Sequence, residues 1–129
     1  MRLTILLLVA AAVILLALSR RQAHSRSATD DDVIDQLRKA GSDLSKPHPT
    51  DFYIYVPTEE SANRIAKLLS AEGFKVAVEP AATRSNWLAL ASRDLILTPQ
   101  ILAELTRKFT DLARLENGDY DGWEAGVVK

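Results

Sequence analysis

Two histidines, His24 and His48, are the only imidazoles in the chain that could move a proton or hold a metal. His24 stands in a polar stretch, and His48 stands between Pro47 and Pro49 in a segment that reads as a loop. Neither has a second histidine or a carboxylate at ligand spacing, so no metal centre is expected. A Ser-His-Asp triad would need one of them on a rigid element, and neither is placed on one. The absence of cysteine excludes disulfides, thiolate zinc sites, iron–sulfur clusters and cysteine nucleophiles. Gly41, Gly73, Gly118, Gly122 and Gly126 form no phosphate-cradling loop and mostly fall where elements stop. No enzyme activity and no cofactor are expected.

Carboxylates are plentiful, but their positions give them other work. Asp30, Asp31 and Asp32 precede a short apolar stripe, where the positive end of a helix dipole favours anions. Glu59 and Glu60 fit the first turn of another helix, and Asp119 and Asp121 fit a turn.

The elements that position these residues follow from spacing. Val33, Ile34 and Leu37 mark a helix over about 31–40, which Gly41 ends. Residues 42–50 read as a loop. Phe52 to Val56 is a strand of aromatic and β-branched residues, stopped by Pro57. Thr58 caps a helix whose apolar face runs Ala62, Ile65, Ala66 and Leu69. Phe74, Val76 and Val78 alternate as a second strand, and Trp87 to Ala91 is a third, so the two form a hairpin. Thr98-Pro99 starts a helix carrying Ile101, Leu102, Leu105, Phe109 and Leu112. Trp123 to Val128 reads as the last strand. The order from Phe52 is βαββαβ, which predicts an α+β ferredoxin-like sandwich preceded by one extra helix.

In that topology the first and third strands are central. With Phe52, Ile54 and Val56 facing the helices, Tyr53 and Tyr55 face away. Assigning Leu88 and Leu90 inward leaves Trp87 outward beside them. Aromatics on such a face are where RNA-recognition sheets stack bases. The basic residues that should accompany them are missing, since Lys75 is the only one placed there. Cover by the extra helix or by a partner subunit, or a protein-binding surface, therefore ranks above nucleic acid.

Charge is unevenly spread along the 129 residues. Residues 1–29 hold four basic and no acidic residues, whereas residues 30–129 hold 12 basic and 17 acidic. An acidic domain is a poor general ligand for nucleic-acid phosphates. Ahead of it, Leu3 to Leu18 is an apolar run of 16 residues broken only by Thr4. As a helix it spans roughly 24 Å, close to crossing a bilayer with Arg2 and Arg20 at its ends. Two positive charges precede the run, counting the α-amino group, and Arg20, Arg21 and Arg26 follow it. The expectation is an uncleaved single-pass anchor over 1–19, a polar linker over 20–29 and a cytoplasmic domain over 30–129. The alternative is a cleaved signal peptide, with Ala17-Leu18-Ser19 or Ala23-His24-Ser25 as the cleavage site and a periplasmic or secreted product.

The C-terminal end is the most distinctive stretch. Glu116-Asn117-Gly118-Asp119-Tyr120-Asp121-Gly122-Trp123-Glu124 resembles the G-x-Y-D-G-W-E signature of the RraB family, named for regulator of ribonuclease E activity B. Val33 to Leu37 and Gly41 to Pro47 resemble that family's first helix and its G-D-x-L-x-K-P-R loop. Phe52 to Glu60 and Gly73 to Val76 resemble its first strand, helix cap and second strand. The resemblance covers roughly residues 31–125 and implies a ferredoxin-like sandwich. It also implies a non-catalytic regulator that restrains ribonuclease E, an endoribonuclease of RNA decay, by protein–protein contact. The founding members lack the apolar N-terminus found here.

Within the signature, Gly118 permits the helix-ending turn, Trp123 anchors the last strand and Tyr120 packs over a helix end. Asp121 and Glu124 are the candidates for exposed partner contacts, together with Tyr53, Tyr55 and Trp87. The rival readings are a ferredoxin-like interaction domain with an unrelated partner and an RNA-recognition module on the open face.

Overall fold

The structure, a computed structural model, describes residues 29–82 and 85–129. The apolar run Leu3–Leu18 and most of the linker lie outside the described residues. Among the described residues, no helix is long and apolar enough to cross a membrane.

Among the described residues seven elements follow one another: α1 (Thr29–Lys39), β1 (His48–Val56), α2 (Glu59–Ala71), β2 (Lys75–Pro80), β3 (Trp87–Leu95), α3 (Pro99–Leu115) and β4 (Asp119–Ala125). The four strands form one antiparallel sheet in the order β2-β3-β1-β4, so β1 and β3 are central as the sequence predicts. The architecture is α+β and compatible with a ferredoxin-like arrangement.

Helix starts are chemical. The Thr58 side chain accepts a hydrogen bond from the Ser61 amide, and Thr98 accepts one from the Ile101 amide. Each satisfies a donor that the first helical turn leaves open. Pro99 follows its cap at the start of α3, where a missing N–H costs nothing. At the far end of α3, Asn117 takes the left-handed conformation, with φ 59°.

The core lies between the sheet and the helices. Phe52 and Phe109 are fully buried, their ring centroids 4.9 Å apart, and Phe74 closes the group at 5.5 Å from Phe109. Val33, Ile34 and Leu37 of α1 belong to this same core. The extra helix therefore shares the side of α2 and α3 and packs against α3. Among the described residues no helix lies on the opposite sheet face, which corrects the expectation that α1 covers that face. Arg64–Glu116 and Lys108–Glu72 ion pairs, at 2.8 Å and 2.6 Å, tie α2 to α3 at the surface. The Arg64 guanidinium holds the Glu116 carboxyl below its ordinary value.

Two strand limits differ from expectation. β1 begins at His48, inside the stretch read as a loop. Pro49 is tolerated because β4 ends opposite Thr50, so β1 has only β3 as a neighbour there. β4 runs Asp119–Ala125 rather than from Trp123 to Val128.

Candidate protein-binding face

Strand register decides which side chains share the face away from the helices, because directly opposed residues point the same way. Three cross-strand rows result. The first is Lys75, Ser92, Asp51 and Glu124. The second is Ala77, Leu90 and Tyr53. The third is Glu79, Leu88, Tyr55 and Asp119. Asp94, opposite Pro49, extends the same side.

The face thus has an apolar and aromatic centre bordered by acid. Among the described residues, Asp51, Glu79, Asp94, Asp119 and Glu124 stand against one basic residue, Lys75. Tyr53 and Tyr55 are half-buried. Polar bonds within the sheet fix part of it. The Tyr53 hydroxyl donates to Glu124 Oε2 at 2.8 Å, and Ser92 Oγ donates to Asp51 Oδ1 at 2.7 Å. Such a surface repels phosphate backbones and attracts cationic side chains.

Two candidates are placed differently from expectation. Trp87 stands opposite Val56 and packs against the helix-side core, so it does not share a face with Tyr53 and Tyr55. Leu88 and Leu90 take the outward positions instead. Ala89 and Ala91 point inward because bulky Phe52, Phe74 and Phe109 already fill that volume. Glu124 is 7% exposed and serves the Tyr53 hydroxyl, so its role within the sheet is positional. Asp121 is exposed, as expected.

The Y-D-G-W-E stretch owes its pattern to a β-bulge. Phe52 pairs with Trp123 and Ile54 with Tyr120, so Asp121 and Gly122 together oppose Tyr53 alone. The extra residue turns both Tyr120 and Trp123 toward the helices, although three positions separate them. Gly122 carries the bulge with φ +96°, a conformation that side chains other than glycine's resist. Trp123 Nε1 donates to Asp30 Oδ1 at 3.0 Å and ties β4 to α1. Burial raises the Asp30 carboxyl above its ordinary value, with the Trp123 bond pulling the other way. Tyr120 packs on Phe109, with centroids 5.6 Å apart, and burial pushes its phenol well above the ordinary tyrosine value.

One polar site was not legible in the sequence. His48 is fully buried at the start of β1 and meets Ser42 Oγ through Nε2 at 2.6 Å. Its Nδ1 faces the Lys46 carbonyl oxygen at 2.9 Å. That carbonyl can only accept, so Nδ1 carries the proton and Nε2 accepts from the Ser42 hydroxyl. Ser42 Oγ in turn accepts from the Val128 amide at 2.9 Å. The pair is a clasp that holds the last residues against the loop after α1. Ser42 is 9% exposed, with its hydroxyl engaged on both sides. Among the described residues, no group of three or more acidic or histidine side chains is placed to hold a metal ion.

No curated protein matches the chain. A family model does match, that of regulator of ribonuclease activity B, over residues 27–125. The matched span holds every element from α1 to β4, including the bulge and the acidic sheet face. The chain belongs to the RraB family, the regulators of ribonuclease activity B.

Proposed function

We propose that this protein is a non-catalytic regulator that binds a ribonuclease E-type endoribonuclease through its open sheet face. The single observation carrying the reading is the concentration of carboxylates around Tyr53 and Tyr55 in a domain of this family. An acidic surface suits the basic, RNA-handling parts of a nuclease, and complementary charge speeds and orients such an encounter. Recognition by direct RNA stacking has no electrostatic support on a face with a single lysine. Leu3–Leu18 anchors the domain to a membrane, and the arginines that follow keep it on the cytoplasmic side.

The test is RNA cleavage by a purified ribonuclease E-type enzyme with the full chain added in detergent. Inhibition is expected, falling as salt rises. Asp119→Lys with Asp121→Lys changes exposed positions at the face's border. This variant should keep its melting temperature and inhibit about tenfold less well. Undiminished inhibition by the variant, or none by the parent chain, would sink the proposal. Topology has its own measurement, a reporter fused after Lys129. Activity of a reporter that works only in the cytoplasm is expected, and an extracytoplasmic signal rules out this partner.

A further inference from the structure

We propose that the arginine-rich segment 20–26 of this chain docks on the open sheet face as its own ligand, so that a partner must displace it. The inference rests on reading that face as the binding surface. Its first support is complementary chemistry. The face sets five carboxylates and two tyrosines against one lysine. The segment carries Arg20, Arg21 and Arg26 and no acidic residue. Guanidinium groups pair with carboxylates in a fork geometry and stack on tyrosine rings, so one short peptide can satisfy both features.

Chain geometry is the second support. Asp30 is held by Trp123 of β4, and the side chain of the next residue, Glu124, lies on the open face. The segment therefore joins the domain beside the β4 edge. Three Cα–Cα steps lead from Arg26 to Thr29, a reach of about 10 Å, enough for the border at Asp119 and Asp121. Arg20 and Arg21 reach about 30 Å, enough to round the edge and cross to β1 and β3, with strands about 5 Å apart.

The chain has no cysteine, so paired cysteines report proximity without background. Gln22→Cys is combined with Ser92→Cys on the face, or with Lys67→Cys on the exposed side of α2 as the control. In the full chain at low salt, the 22–92 disulfide should form about tenfold faster than the 22–67 disulfide, because a tether this short gives millimolar effective concentration. High salt should remove the advantage, and so should Arg20→Ala, Arg21→Ala and Arg26→Ala together. Equal rates for the two pairs, or a preference indifferent to salt and to the arginines, would overturn the inference. In the nuclease assay the triple alanine variant should inhibit more strongly than the parent, since the competitor is gone. If no variant inhibits, the functional reading fails, and the cross-linking outcome still decides whether the segment occupies the face.

Discussion

Replacing Trp123 by alanine is expected to cost about 3–5 kcal/mol of stability. The indole is 7% exposed and stands opposite fully buried Phe52. It also supplies a hydrogen bond from β4 to the first turn of α1, through Asp30. Truncation therefore opens a cavity on the sheet and leaves a half-buried carboxylate without its donor. Urea unfolding at neutral pH checks the figure. Trp123→Phe keeps most of the apolar area and loses only the N–H, so it should cost much less, about 1 kcal/mol. A Trp123→Ala variant that melts with the parent but no longer restrains a nuclease would mean that the signature tryptophan is a contact residue and not core.

Gly118→Ala should be nearly as damaging, at about 3 kcal/mol, for a different reason. A Cβ there would press into the carbonyl oxygen of Tyr55 and come within 2.8 Å of Val56 Cγ1. The obstacle is the backbone of a central strand, which cannot swing aside. Asn117 already provides the left-handed turn that ends α3, so Gly118 is needed for close approach and not for its φ. Gly122→Ala separates the two effects. Its site has open space but a φ of +96°, and it should cost only about 1–2 kcal/mol. Equal losses at the two glycines would refute this division.

The order of elements was legible because caps and periodicity agree with it. Thr58 and Thr98 cap their helices as their positions predict, and the Phe52–Val56 run marks a central strand. The side-chain direction in β3 was not. In Trp87-Leu88-Ala89-Leu90-Ala91, hydrophobicity favours burying the leucines against the helices. Volume decides otherwise, because the aromatic group at Phe52, Phe74 and Phe109 leaves room only for alanines. The length of β4 was hidden by its bulge, which breaks the alternation that marks a strand and makes Asp119 and Asp121 read as a turn. His48 was hidden by its prolines. Nothing local to Lys46-Pro47-His48-Pro49 announces the Ser42 partner, whose hydroxyl is itself held by the distant Val128 amide. Tyr53 and Tyr55 were placed on the open face by alternation alone, and the register bears this out.

The bulge at Gly122 also governs how this sheet can meet other chains. An open four-stranded sheet has two rims of backbone donors and acceptors, each a template for another strand. On one rim, the extra residue at Asp121–Gly122 kinks β4 out of the straight ladder that a docking strand needs. On the other, β2 is six residues long, opens on Lys75 and closes on Pro80, which has no N–H to offer. Strand-by-strand polymerisation is blocked at both ends. Copies crowded together would stay separate, and the broad acidic surface lies between the two blocked rims.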